Sequence, residues 1–527
     1  MSTTEELQRY TGQRSTRSIY GNFINSMSGV HGGGNKGRLE EKASFRQGLS
    51  AYNISRQEIK VGTNNNWDTE NYGGVPLDYD AKTNTVYVDG SDAHTLIIGA
   101  TGSKKSRLAV IPAVHTISAA GENMIICDPK GEIYNRTAGL LEKRGYNVHA
   151  INLREPKKGD GWNLLSVPYE MFLAGDLDKA CEFINDATIN LMPICSKDPY
   201  WDYSARDMLF GLILLLFELC KEKHQPPELV SMQSVIKLKE ALFCSVDNTI
   251  IQDTSLWNFA KRYSLIRTRL NGIVICPERT LACIISTFDQ HMSCFTLQPQ
   301  IIDLLSSSTF DLQSIGFGKD ALYLIMPDEK STYHKVITIF IKQIYELLID
   351  NAFKRTSENR YPVRINFILD EFSSLPAISD FPQMIAASRS RNIRFTLVVQ
   401  SKHQLRQRYD EETATIMSNC VNWIFLTSRE LELLREISEL SGMTGSGYEN
   451  VISVSRLQHL DKDAGECLVF HGRKYPYLAM LPDIDVYDGK EYTIREMKER
   501  KNSKIGWKGY EKRDFFERLV ELNIEGR

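Results

Sequence analysis

Hydrophobic and polar positions divide the chain into distinct regimes. Up to about Asp92 the sequence is polar. Clusters at Gly32, Gly33 and Gly34 and at Asn64, Asn65 and Asn66 mark turn-rich segments, and Thr85–Asp89 predicts a strand. From His94 onward, short apolar runs alternate with helical stretches, at 96–98, 124–127, 148–151, 322–325, 365–369, 395–399, 423–426 and 467–470. Several of these runs are apolar at every position rather than at every second one. That pattern predicts strands covered on both faces, as in a parallel α/β sheet. Between about Tyr169 and Thr296 it fades, and helical spacing covers 174–191, 202–223, 231–243 and 257–271. The expected organisation is a polar leader with a small apron of strands over 1–92 and an α/β domain in two parts, 93–168 and 297–492. An inserted all-α domain spans 169–296, and a charged tail spans 493–527. In the tail, 495–501 and 512–520 alternate charge with an apolar stripe and read as solvated helix.

Composition narrows the class. The chain has 527 residues, 42% hydrophobic and 24% charged, which is ordinary for a globular protein with a large core and excludes a small disulfide-stapled scaffold. A formal net charge of -3 carries no global basic signature, so any nucleic-acid contact has to come from a local patch or a pore. The ten cysteines form no Cys-x-x-Cys pair and often sit inside apolar runs; they read as buried free thiols in a reducing compartment, without zinc. The first residues, Met-Ser-Thr-Thr-Glu-Glu-Leu, have neither the basic nor the apolar region of a signal peptide. The longest apolar run, 208–218, is shorter than the roughly 20 residues that a spanning helix needs, so it reads as a buried core helix and the chain is expected not to cross a membrane by itself.

The chemistry starts where the 96–98 run breaks into Gly99, Ala100, Thr101, Gly102, Ser103, Lys104, Lys105, Ser106 and Arg107. Gly99, Lys105 and Ser106 have P-loop spacing, in which backbone N–H groups and a helix N-terminus face phosphates, the lysine reaches the β/γ-phosphates and the hydroxyl ligates Mg²⁺. Lys104 occupies the place of a glycine. Lysine there takes positive φ only at a cost of roughly 1–2 kcal/mol, so hydrolysis is more in doubt than nucleotide binding. The plain alternative is a strand-to-helix turn without a ligand.

A second apolar run ends in Asp370 and Glu371, the pattern of a strand whose first carboxylate holds Mg²⁺ through water and whose second polarises the attacking water as general base. Together with the loop it points to a RecA-like nucleotidase. Gln400 ends the next apolar run and reads either as a γ-phosphate sensor or as an exposed loop amide. Arg389, and after it Arg391, stand where an arginine finger would serve a neighbouring subunit in a ring, the alternative being plain surface charge. Asp128, Lys130 and Glu132, at the C-terminal end of the second core strand, read as facing nucleotide or a neighbouring subunit, the alternative being a salt-bridged turn. Single-strand binding needs cations interleaved with stacking aromatics. Arg406-Gln-Arg408-Tyr409 is a candidate, and a solvated helix is the other reading.

These motifs, with Ile126-Cys-Asp128-Pro-Lys130-Gly-Glu132, Trp162-Asn163-Leu-Leu, Leu322-Tyr-Leu-Ile-Met-Pro327-Asp, Leu369-Asp-Glu-Phe-Ser-Ser-Leu-Pro376 and Val399-Gln-Ser-Lys-His-Gln-Leu405, resemble the type IV secretion coupling proteins, the TraG-like conjugative DNA-transfer ATPases, over most of residues 90 to 445. The resemblance implies a RecA-like P-loop motor with a mainly parallel sheet and an inserted all-α domain. It also implies ATP and Mg²⁺ as ligands, a hexamer when active, and relaxase bound to single-stranded DNA as the cargo. Family members usually begin with transmembrane helices. Here the segment 36–46 looks like the stretch that follows them, so the expectation is a cytoplasmic protein docked at the inner face of the membrane through membrane-anchored secretion subunits. Two other readings are a non-hydrolysing docking adaptor, which Lys104 favours, and a DNA-translocating ATPase of plasmid partition or defence.

Overall fold

In a computed structural model of the chain, residues 56–60, 73–195, 197–246, 249–252, 254–296, 298–327, 329, 333–443, 449–488 and 495–500 are described. The glycine and asparagine clusters, the segment 36–46 and the tail stretch 512–520 lie outside them. In chain order the strands are β1 (Arg56–Lys60), β2 (Pro76–Asp80), β3 (Thr85–Asp89), β4 (His94–Gly99), β5 (Asn123–Asp128), β6 (Asn147–Asn152), β7 (Phe243–Val246), β8 (Thr249–Gln252), β9 (Asp320–Ile325), β10 (Ile365–Leu369), β11 (Ile393–Val399), β12 (Cys420–Thr427), β13 (Glu466–His471) and β14 (Tyr477–Met480). The chain divides into two compact units.

The first unit comprises Met1–Glu122, Ile368–Ser373 and Arg394–Tyr492. Its strands run in the order β14-β13-β12-β4-β11, with the end of β10 beside β11. β4 pairs in parallel with β11 on one edge and β12 on the other. Every residue of β4 and β11 is buried, which is why both read as continuous apolar runs rather than alternating ones. Beyond β12 the sheet changes sense. β13 is antiparallel to β12, and β14, absent from the sequence reading, is antiparallel to β13. A tight turn joins β13 to β14; a parallel pairing would need a crossover of a dozen or more residues.

A smaller antiparallel sheet, β1-β3-β2, carries the N-terminal apron. Arg394, at the start of β11, fastens it. Its guanidinium donates to the carbonyls of Gly73, Asp89 and Ser91 and pairs with Glu122 at 3.2 Å. Both side chains of this pair are 3% exposed. Beside it, the Asn422 amide donates to Asp89 Oδ2 at 2.8 Å and accepts from His471 Nδ1 at 2.6 Å. That bond places the imidazole proton on Nδ1.

The second unit comprises Asn123–Phe367, Ser374–Ile393 and Thr493–Arg527. β9 lies between β5 and β6, parallel to both, and all of β5 and β9 is buried. Helices follow at Leu177–Leu191, Tyr200–Glu222, Met232–Leu242, Thr254–Ala260, Ser264–Val274 and Glu278–Met292. The β7–β8 hairpin interrupts them. The single helix expected over 257–271 is two helices, broken where Arg262 and Tyr263 donate in tight turns to Phe259 and Ala260. The long apolar run lies in Tyr200–Glu222 and is buried from Met208 to Phe217. Gly211 admits Leu270 there, since a Cβ would stand 2.5 Å from the leucine Cγ. Among the described residues no helix is long and apolar enough to cross a membrane.

The tail differs from the helical reading over 495–500, which carries no helix. Glu499 bridges Lys158 across an isolated antiparallel step. Arg495 pairs with Glu142, and Arg500 with Asp303. Acids of the second unit hold the two arginines, while Glu496, Lys498 and Glu499 stay exposed, so the segment is docked through its arginines and solvated through the rest. Of the cysteines expected to be buried free thiols, Cys127, Cys220, Cys294, Cys420 and Cys467 are free and buried, whereas Cys195 and Cys283 are free but exposed and Cys181 and Cys276 are half-buried. Burial pushes the Cys220 thiol up to about 12.

Arg394→Ala is expected to lower unfolding free energy by about 3–5 kcal/mol, because it strands a buried carboxylate and three carbonyls. The urea midpoint of the variant checks this, with Arg107→Ala, at a half-exposed pair, as the mild control.

Candidate active site

Three strand ends of the first unit build one cluster. Gly99 closes β4, Asp370 and Glu371 follow the end of β10, and Gln400 follows β11. In parallel strands these carboxyl ends lie at one edge, where ligands of α/β sheets collect. The loop after Gly99 turns tightly. Ala100 N–H donates to Thr427 O at 3.0 Å, and Ser103 N–H to Ala100 O at 3.1 Å. A Cβ on residue 99 would stand 2.4 Å from Ser103 Oγ and 3.0 Å from Lys105 Cγ, so the Ser103 and Lys105 side chains close over a position that has none. The helix that follows opens with a π turn, Ser106–Val110, before Ile111–Ala119.

Lys105 is 7% exposed; its ammonium donates to Gly99 O at 2.7 Å and lies 3.8 Å from Glu371 Oε1. Gln400 Nε2 donates to Glu371 Oε2 at 2.7 Å, and Thr101 Oγ1 donates to Gln400 Oε1 at 3.1 Å. The glutamate is thereby fixed on both oxygens, and the amide reads as a partner of the carboxylate rather than as a free loop side chain. Ser106 Oγ is 3.5 Å from Asp370 Oδ2. Asp370 Oδ1 accepts from the Glu371 N–H at 3.0 Å. Glu371 has φ 52, a left-handed conformation that costs a non-glycine residue about 1–2 kcal/mol, and such strain gathers at functional sites.

Lys104 also adopts positive φ, at 62, as glycine would. Its ammonium lies 2.8 Å from Asp463 Oδ1 and holds that carboxyl below the usual carboxylate range. Arg107 donates through Nε to Asp483 Oδ2 at 3.1 Å and through Nη2 to Asp483 Oδ1 and Asp485 Oδ2. These acids lie more than 350 residues downstream of the loop and belong to no motif, so nothing in the sequence announces them.

Arg389 and Arg391 belong to the second unit, on the turn after the helix Phe381–Ser388. There Arg391 donates to Ala387 O at 3.2 Å and Ser390 Oγ at 2.5 Å. The Arg406-Gln-Arg408-Tyr409 stretch lies in the helix Lys402–Tyr409, with Tyr409 buried and stacked on Phe372 at 5.5 Å, so its ring is occupied.

Asp128, in the second unit, is a buried anchor beneath the helix Glu132–Lys143. Its Oδ2 accepts from the Tyr134 N–H at 2.8 Å, in place of the salt bridge that the sequence left open, and Lys130 and Glu132 are exposed. Burial pushes its carboxyl up to about 6, against the backbone N–H groups of Tyr134, Gly131, Lys130 and Ile133, which pull it down.

The sequence profile described as Type IV secretory system Conjugative DNA transfer matches residues 40–459. The chain belongs to that family. It is similar to a conjugal transfer protein TraG of Escherichia coli, 23% identical over 73% of this chain and 60% of that protein. It is also similar to the type IV secretion system-coupling protein VirD4 of Bartonella henselae, 20% identical over 76% of this chain and 63% of that one. It thus spans about 60% of the length of the curated relatives it matches.

The coupling-protein fold appears in the solved structures as well. TrwB in complex with sulphate matches with a TM-score of 0.56 at 15% identity, over 85% of this chain and 95% of that one. TrwB in complex with the non-hydrolysable ATP analogue ADPNP matches at 0.53 and 15%, over 84% and 95%. The architecture of this family member is the RecA-like P-loop fold with a mainly parallel sheet.

Asp128 also generates a pH test. A carboxyl whose pKa is raised by folding binds its proton more tightly in the folded chain, so stability is expected to fall as pH rises from about 4 to 6. Asp128→Asn keeps an acceptor for the Tyr134 N–H. It should flatten that part of the profile and raise neutral stability by up to about 3 kcal/mol, read from urea midpoints at pH 4.5 and 7.

Proposed function

We propose that this chain is the coupling ATPase of a conjugative type IV secretion system, which receives relaxase bound to single-stranded DNA and delivers it to a transfer channel. The observation that carries this reading is the fixing of Glu371 between the Lys105 ammonium and the Gln400 amide, next to Ser106 and Asp370. Membership of the conjugative DNA transfer family and similarity to TraG and VirD4 support the setting.

The residues fit a nucleoside triphosphate with Mg²⁺. Ser103 Oγ is buried in the loop, 2% exposed and without a hydrogen-bond partner among the described residues. A hydroxyl and a carboxylate, Ser106 and Asp370, are the hard oxygen donors that Mg²⁺ takes. TrwB, which has this fold, has been solved with ADPNP and with ADP and Mg²⁺. When bound, the ion would neutralise charge on the transferring phosphoryl group.

Lys105 supplies the fixed positive charge of the loop; the Ala100 and Ser103 N–H groups are spent on Thr427 O and Ala100 O, and the other N–H groups of the loop are the donors left for phosphate. Glu371 takes the proton of the attacking water, and Gln400 holds that carboxylate in orientation. Arg389, then Arg391, is the arginine that a neighbouring subunit would offer in a hexameric ring, with attachment at the inner face of the membrane through anchored secretion subunits. The rival reading is a docking adaptor that does not hydrolyse ATP; the left-handed Lys104 favours it.

Steady-state ATP hydrolysis, with and without single-stranded DNA, separates the two. The expected result is turnover by the natural chain that falls at least about a hundredfold in Glu371→Gln, the scale of one general base. Turnover seen only in Lys104→Gly would put the adaptor first.

A further inference from the structure

The cations of the loop are not alike. Lys105 is buried and faces Glu371, whereas Lys104 and Arg107, on either side of Lys105 and Ser106, are met by acids from one end of the β13–β14 hairpin. That end is closely built. Gly465 has φ 73, and a Cβ there would stand 1.9 Å from Leu481 O, while Leu481 N–H donates to Gly465 O at 2.8 Å. The buried Glu466 carboxylate pairs with Arg456 and accepts the Asp461 N–H at 3.0 Å. Asp461 Oδ1 in turn accepts from the N–H groups of Asp463 and Ala464, both at 3.1 Å. The turn before β13 thus presents Asp463 to Lys104. Asp483, two residues after Leu481 on the facing strand's exit, meets Arg107.

The two ion pairs differ in strength. Arg107 is held by two carboxylates through several hydrogen bonds. Among the described residues Lys104 has one carboxylate at ion-pair distance, Asp463, whose side chain is 75% exposed, and Asp483 acts on it only from farther away. Exposed pairs of that kind are weak, whereas charge-assisted bonds to a multiply charged phosphate are strong. Lys104 stands in the loop whose backbone faces the phosphates, so it is the cation that exchanges.

We propose that Lys104 is a nucleotide-responsive residue: Asp463 holds its ammonium until a phosphate replaces that carboxylate, and the turn 461–465 is then released. The departure from the usual loop glycine becomes a connection between nucleotide occupancy and the β13–β14 end of the sheet. This rests on the reading of the loop as a nucleotide site.

Two measurements on the full chain test it: calorimetric titration with the Mg²⁺ complex of a non-hydrolysable ATP analogue, and amide exchange across 461–465. They are made for the natural chain, Asp463→Asn, Lys104→Gly and the double variant. Removing the competing carboxylate should tighten binding about threefold, the scale of one exposed ion pair, and should do nothing once Lys104 is glycine. Exchange at the Asp463 and Ala464 amides should rise on binding in the natural chain and not in Lys104→Gly. Equal effects of Asp463→Asn with and without Lys104, or a turn indifferent to nucleotide, would overturn the switch alone. No binding by any of the four proteins would remove the nucleotide reading and the switch with it.

Discussion

The Lys105 ammonium is the charge around which the first unit closes its polar edge. A buried cation needs an acceptor and a countercharge, and it obtains them from Gly99 at the end of its own strand and from Glu371 at the end of another. Glu371 is then committed. Gln400 holds its second oxygen, and Thr101, back on the loop, holds Gln400. The chain of contacts returns to where it began, so loop and strand ends fix one another. It forms only because β4 and β11 are parallel and in register, which brings Gly99 and Gln400 to the same edge. Two residues other than glycine sit in left-handed backbone there, Lys104 and Glu371, and strain of that kind persists where neighbours over-determine it.

The antiparallel edge contributes a second, electrostatic constraint. A loop carrying Lys104, Lys105 and Arg107 within four positions would repel itself. The hairpin end answers with Asp463, Asp483 and Asp485, so only Lys105 keeps its charge turned to the cluster. Mainly parallel architecture and an antiparallel extension thus divide the labour. One places the chemistry, and the other sets the charge of its surroundings.

Four buried polar groups elsewhere, Arg394, Glu122, Asp128 and Asp202, are held as structural groups. Arg394 and Glu122 tie the apron to the sheet, and Asp128 closes the start of a helix. All three stand near apolar runs, as site residues do. Their partners separate them from a site: backbone carbonyls for the arginine, backbone N–H groups for the aspartate. Asp202, buried against His291 and the Cys195 N–H among the helices, belongs with them.

By itself the sequence determined what depends on neighbours along the chain. Covered strands are apolar at every position, so β4, β5, β9, β10 and β11 were legible as runs. The phosphate-type loop and the Asp370-Glu371 pair were legible because their spacing is local. Tertiary structure alone decided what depends on pairing between distant segments. It gave the antiparallel sense of β13, whose run looks like any buried strand, and the extended path of 495–500, where acids elsewhere in the second unit outweigh a helical charge pattern. It also turned Asp128 into a helix anchor and supplied Asp463 and Asp483. The reason is the same in each case: a side chain's charge is written in the sequence, but the group that meets it is chosen by the fold.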